Sequence, residues 1–252
     1  MSEPISRPPG TPAAAHAGTP ARSSTPVSQA RQAPTTTMAT KAASGGQASP
    51  AESALKAIRT ALAGRRIEAV VIGASAGGVG ALLKLLPGLP ADYARPVVAL
   101  LHLPDNRQSQ LAEVFRQRVA MAVHEAADKE ALAPGTLYFG GSGYHLSVEA
   151  DRSFSLSCEA PRHFARPAID FLMESAADAY GAALLGILLT GANQDGAAGL
   201  AAIGRAGGLT VVQDPDEAEV STMPKEAIRS RAPDLILPLD DIHTLLLMLE
   251  NN

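Results

Sequence analysis

From residue 68 onward, short apolar runs alternate with amphipathic stretches. Glu68 to Ile72, Pro96 to Leu101, Ala183 to Leu189 and Leu209 to Gln213 are rich in Val, Ile, Leu and Ala, and they are too short for typical helices. That pattern predicts strands buried on both faces. Leu235 to Pro238 predicts a last, shorter strand. Between the runs, apolar residues recur at helical spacing. Helices are expected from about Val79 to Leu89, at Ser109 to Val119 with Leu111, Val114 and Phe115 inward, and at Pro167 to Tyr180 with its proline in the first turn. Others are expected at Asp195 to Ala206, Pro224 to Arg231 and Ile242 to Leu249, the last capped by Asp240. Ala122 to Ala126 predicts a short strand; Thr136 to Phe139, Tyr144 to Val148 and Phe154 to Cys158 predict further short strands, read as hairpins inserted in the main pattern. The expected fold is α/β: a three-layer αβα, doubly wound, mostly parallel sheet with a β-hairpin insertion.

Residues 1–50 do not fit this pattern. They are dominated by Ala, Pro, Ser, Thr, Gly and Gln, with almost no large apolar side chains. Such a segment cannot bury enough surface to offset its ordering entropy, and a disordered tail is expected there. Leu55, Ile58 and Leu62 predict a short helix or linker over 51–66, ahead of one folded domain over 67–252. The net charge of −4 gives no basis for general nucleic-acid or membrane-surface binding, and the absence of tryptophan argues against a base-stacking platform. The single cysteine, Cys158, cannot form an internal disulfide, which suits a cytoplasmic protein. No apolar run approaches transmembrane length, so no membrane insertion is expected.

The candidate chemistry begins at Gly73-Ala74-Ser75-Ala76-Gly77-Gly78, where the first strand turns into a helix. Gly-x-Ser-x-Gly at such a turn is the pattern of a nucleophile elbow, and the amides that follow lie at a helix N-terminus. The turn lacks both the G-x-G-x-x-G spacing and a G-K-[ST] sequence. From the turn alone, esterase nucleophile, phosphate site and plain tight turn stand level. Two further strand ends carry reactive groups: His102-Leu103-Pro104 and Thr190-Gly191-Ala192-Asn193-Gln194-Asp195. Ser75, His102 and Asp195 supply a nucleophile, a base and an orienting carboxylate at converging strand ends. Read singly, His102 is equally a satisfied strand-end histidine, and Asp195 is a good helix cap. The order Ser…His…Asp also differs from that of α/β-hydrolases.

Taken together, Val71 to Gly78, His102-Leu103-Pro104, Pro134-Gly135-Thr136-Leu137-Tyr138, Arg166-Pro167-Ala168-Ile169-Asp170, Leu188-Leu189-Thr190-Gly191…Asp195-Gly196-Ala197-Ala198-Gly199, Gln213-Asp214 and Met223-Pro224-Lys225-Glu226-Ala227 resemble the catalytic domain of chemotaxis protein-glutamate methylesterases, the CheB family. The resemblance runs from about Glu68 to Leu249. It implies a cytoplasmic serine hydrolase that removes methyl groups from glutamyl γ-methyl esters of chemoreceptors and, in some members, deamidates receptor glutamines. Ser75 would be the nucleophile, His102 the general base and then acid, and Asp195 the group that orients His102. The amides of Ala76 and Ala192 would hold the oxyanion, and Arg166 and Met223 would contact substrate. No cofactor and no metal are implied; the partners are the cytoplasmic helices of methyl-accepting chemoreceptors.

The sequence departs from the family at Gly191-Ala192-Asn193, where a Gly-Met-Gly-like turn is usual, and at His163-Phe164-Ala165, where Asn-Gly-His is usual. His163 and His145 are candidates to line the cleft, though each also fits a surface or loop histidine. The residues ahead of the domain are too few and too polar for the receiver domain of the well-known members, so the expectation is either constitutive activity or control by a partner through the tail, such as a separate response regulator. The alternative reading is a catalytically silent or repurposed chemosensory binding protein on the same scaffold.

Overall fold

The computed structural model of the chain describes residues 49–102 and 110–250. The expected disordered tail therefore falls outside the described residues, except at Ser49 and Pro50, which begin the first helix. That helix, α1 (Pro50–Leu62), is fixed by a capping box: Ser49 accepts from the Glu52 N–H, and Glu52 accepts from the Ser49 N–H. It buries Ile58 and Leu62.

Then follow β1 (Ala69–Ala74), α2 (Gly78–Leu85), β2 (Val97–Leu101), α3 (Leu111–Arg116), β3 (Ala122–Glu125), β4 (Thr136–Phe139), β5 (His145–Val148), β6 (Phe154–Ser157) and α4 (Ile169–Tyr180). The chain continues through β7 (Leu184–Leu188), α5 (Ala197–Arg205), β8 (Leu209–Gln213), α6 (Thr222–Ser230), β9 (Leu235–Leu237) and α7 (Leu239–Leu249). Seven strands form one sheet in the order β3-β4-β2-β1-β7-β8-β9, and every pairing in it is parallel. Strands β5 and β6 form a separate antiparallel hairpin. The expected strand at Ala122–Ala126 is present as β3, whereas the expectation that Thr136–Phe139 belongs to an inserted hairpin is corrected. Thr136–Phe139 pairs with both β2 and β3 and lies inside the main sheet. Strand propensity alone does not choose a partner; the burial of all four residues of β4 suits an interior position.

Alternate side chains of each central strand feed two cores. Val70, Ile72, Val97, Ala99, Leu185 and Ile187 pack with residues of α1, α2, α3 and α7. Val71, Val98, Leu100, Leu184 and Leu188 pack with α4, α5 and the hairpin. The strand order reverses between β1 and β7, because successive connections run outward from β1 on one side and from β7 on the other. A crevice therefore opens beyond the carboxyl ends of these strands. Gly73 lets α4 close onto the sheet there: a Cβ on it would overlap the Ile169 side chain and come within 2.8 Å of Leu188 Cδ1.

Candidate active site

Three neighbouring strands, β2, β1 and β7, deliver the three candidate residues. Ala74 is in register with Leu101, so the next residues, Ser75 and His102, leave adjacent strands side by side, about 4.8 Å apart at the backbone. The Ser75 N–H donates to Thr190 O at 3.0 Å, tying the serine to the end of β7. After Ser75 the chain turns through Gly77, whose φ of +78° places it in the left-handed region as the N-cap of α2. The resulting elbow leaves Ser75 half-buried and Ala76 exposed at the rim.

Asp195 is fully buried, and its carboxylate accepts four hydrogen bonds. His102 Nε2 lies 2.7 Å from Oδ2, and the Ile169 N–H donates to the same oxygen at 2.7 Å. Oδ1 accepts from the N–H groups of Asp170, at 3.0 Å, and Gly196, at 2.9 Å. Burial pushes this carboxyl up, but the bonds from His102 and the Asp170 and Ile169 amides outweigh it and hold it below the usual carboxylate range. The sequence suggested Asp195 as the cap of its own helix. In fact the N-cap of α5 is Gly196, with φ +88°. Asp195 instead caps α4, whose own N-cap, Ala168, offers no side-chain acceptor. The positive end of α4 and the imidazole thus share one buried carboxylate. Asp240 is likewise not the cap of the last helix: Pro238 is the N-cap of α7, and Asp240 sits in the first turn.

Ala76 and Ala192, expected to hold an oxyanion, are both exposed at the ends of β1 and β7. Among the described residues neither N–H donates a hydrogen bond. Their loops are pinned by residues to which the sequence assigned no role. Thr190 Oγ1 donates to Ala76 O at 2.8 Å and accepts from the Val220 N–H at 2.9 Å. The Thr190 N–H donates to Gln213 Oε1 at 2.8 Å. Thr190 and Gln213 are 1% and 2% exposed; a polar residue closing an otherwise apolar strand was the available signal.

Met223, expected to contact substrate, is fully buried. Its side chain packs under Gly191, and its N–H donates to Gly191 O at 2.9 Å, so it supports the Gly191-Ala192 loop from below. Arg166 is half-buried; Nη1 donates to the carbonyls of Cys158 and Glu159, and Nε is buried with no partner. His145 is a core residue: it accepts from the Ala168 N–H, stacks on Phe171 at 3.9 Å and therefore donates through Nε2 to Ala160 O. His163 does lie beside the site. Gln194 Nε2 donates to its Nδ1 at 3.3 Å, and its Nε2 meets Asp170 Oδ2 at 3.2 Å.

His163, Asp170 and Asp195 bring possible metal-ligand atoms within 4.8 Å of one another. Their carboxylate oxygens are already engaged, however. Asp170 accepts from the Gly199 N–H at 2.7 Å and faces Arg162 Nε at 3.4 Å, and that guanidinium would repel a cation. Burial pushes the Asp170 carboxyl up. The cluster is a hydrogen-bonded support for the α4 terminus and the Asp195 loop. With a serine beside a buried carboxylate–imidazole pair, and two amides that donate to no partner among the described residues, the site has the parts needed for acyl transfer.

Comparison with known proteins agrees with this chemistry. The CheB methylesterase family profile matches residues 70–246. A Leptospira interrogans protein, named provisionally as a protein-glutamate methylesterase/protein-glutamine glutaminase, is 40% identical over 185 residues, covering 73% of this chain and 96% of its own length. The protein-glutamate methylesterase/protein-glutamine glutaminase 2 of Anaeromyxobacter dehalogenans is 40% identical over 177 residues, or 70% of this chain and 52% of that protein. The crystal structure of the Thermotoga maritima CheB methylesterase catalytic domain superposes with a TM-score of 0.69 at 31% identity, covering 72% of this chain and 98% of that one. The chain belongs to the CheB methylesterase family.

Proposed function

We propose that this protein is a serine-type hydrolase of glutamyl γ-methyl esters on chemoreceptors, acting in chemosensory signalling. The observation that carries the reading is the 2.7 Å bond between His102 and the buried Asp195, formed where His102 leaves the sheet beside Ser75. Because Nε2 is committed to Asp195, Nδ1 is the ring nitrogen left to receive the Ser75 proton. Ser75 Oγ attacks the ester carbonyl carbon as Nδ1 takes its proton. The oxyanion is held by the Ala76 and Ala192 amides, with the α2 N-terminus behind Ala76. Collapse breaks the C–O bond, and His102 protonates the departing methoxide to give methanol. Water, deprotonated by His102, then attacks the acyl-enzyme; the glutamate carboxylate leaves and the proton returns to Ser75. A glutamine side chain would follow the same course with ammonia as the leaving group, matching the second activity in the relatives' names. Arg166, whose guanidinium is only partly buried, is assigned to acidic side chains of the receptor. Met223 acts through the loop it supports.

The test is methanol release from methylated chemoreceptor cytoplasmic fragments. Wild type should release methanol, and Ser75→Ala should lose at least about 10³-fold in kcat. A folded wild type that releases none from receptors of its own organism would refute the hydrolase reading.

A further inference from the structure

Residues 162–165 form a two-residue turn beside the site. Arg162 N–H donates to Ala165 O at 3.1 Å, and Ala165 N–H donates to Arg162 O at 2.9 Å. The two central residues, His163 and Phe164, have φ of +52° and +62°. Two successive left-handed residues define a type I′ turn, the geometry that Asn-Gly fills at least cost. A histidine followed by a phenylalanine is strained there. The surroundings hold the strain in place. Arg162 forms a two-pronged ion pair with Glu174, at 2.7 and 2.9 Å, and His163 is bonded to Asp170 and Gln194. His163 thus contributes to the site's support. Phe164 contributes nothing to the fold: its side chain is fully exposed, the most exposed large apolar residue among those described.

Its position gives the phenyl ring a use. With Asn193, Gln194, Thr222 and Glu226 it lines an open cavity of about 290 Å³. That wall includes the loop that begins at Thr190, bonded to Ser75, and ends at the Asp195 paired with His102. Gln194 is four residue steps from Thr190, a span of at most ~14 Å. A substrate helix rising ~5.4 Å per turn, with its ester at Ser75, therefore meets the cavity wall at Gln194 within about three turns.

We infer that Phe164 is a specificity-determining residue that the strained turn holds out to an apolar side chain on the substrate helix, within about three turns of the glutamyl ester. This rests on the hydrolase reading above. A substrate too small to reach the cavity gains nothing from the ring, whereas a receptor helix buries part of it. Strain that serves no folding purpose is expected where it serves recognition.

The experiment compares wild type, Phe164→Ala and Phe164→Gly on methylated receptor fragments and on p-nitrophenyl acetate, with thermal unfolding in parallel. Phe164→Gly relieves the left-handed position, and its Tm should rise by about 2–4 °C. Both variants should lose about 5- to 20-fold in kcat/KM on receptor fragments, carried by KM, as expected for partial burial of one phenyl ring. Turnover of p-nitrophenyl acetate should be unchanged. An unchanged KM for receptor fragments in both variants, with wild type active on both esters, overturns the inference alone. A wild type active on neither ester overturns the hydrolase reading and this inference with it.

Discussion

Replacing Asp195 by asparagine separates the two tasks its carboxylate performs. The carboxylate accepts from four donors, two at each oxygen. An amide has one oxygen and one NH₂. If the oxygen keeps the Asp170 and Gly196 N–H groups, the NH₂ faces the Ile169 N–H and His102. If it keeps Ile169 and His102, the NH₂ faces two buried N–H groups instead. The first orientation is less costly and leaves one buried donor unsatisfied, a loss of about 1–3 kcal/mol in unfolding free energy. It also forces Nε2 of His102 to accept from the amide, so Nδ1 carries a hydrogen and cannot act as the base. The equivalent change in a serine protease costs about 10⁴ in kcat, and a loss of that order is expected here. Methanol release gives kcat, and urea unfolding gives stability. Ser75→Ala, by contrast, should lose activity with stability unchanged within about 0.5 kcal/mol. A pH series adds a third readout. Because the folded-state pKa of Asp195 lies below the unfolded value, its contribution is complete above about pH 4 and is lost as pH falls through the lower, folded value. The stability gap between wild type and Asp195→Asn should therefore narrow on acidification below pH 4. An Asp195→Asn protein as stable as wild type, or within tenfold of its kcat, would refute the shared-carboxylate account.

Two further changes test the supports. Thr190→Val keeps the shape but strands Ala76 O and the Val220 N–H, and should cost about 1–3 kcal/mol and about tenfold in kcat; an unchanged kcat would show that Thr190 does not set the elbow. Met223→Ala removes a fully buried side chain beneath Gly191 and should cost about 2–5 kcal/mol by urea unfolding, with a fall in kcat on both large and small esters; a stability loss below 1 kcal/mol would mean that the loop does not rest on it.

The alternating buried strands and helices, and the elbow at Ser75, were legible because each depends on local pattern: period, apolar run length, and glycines where the chain must turn. The convergence of Ser75, His102 and Asp195 was legible because residues at the ends of parallel strands meet at one edge. Partner choice was not. Thr136 to Phe139 looks the same whether it joins a hairpin or the centre of a sheet, and only the packing on both its faces decides. The cap at Asp195 was assigned to the wrong helix for a related reason: a carboxylate ahead of a helix reads as its own cap, and nothing near Ala168 announces that α4 borrows one from 26 residues away. The left-handed pair at His163 and Phe164 lies beyond sequence reading because neither residue is a turn former; tertiary contacts to Glu174, Asp170 and Gln194 impose the conformation.

The unequal embedding of the three reactive residues affects how variants of this protein should be judged. Asp195 is retained by two independent demands, since a chain that loses it also loses the anchorage of a helix. Ser75 answers to one demand only, because its side chain is not needed to hold the fold. In a lineage that stopped hydrolysing esters but still needed a folded domain, the serine would drift first and the aspartate would persist. The aspartate in any homologous chain is therefore weak testimony to activity, and the serine is the residue to inspect.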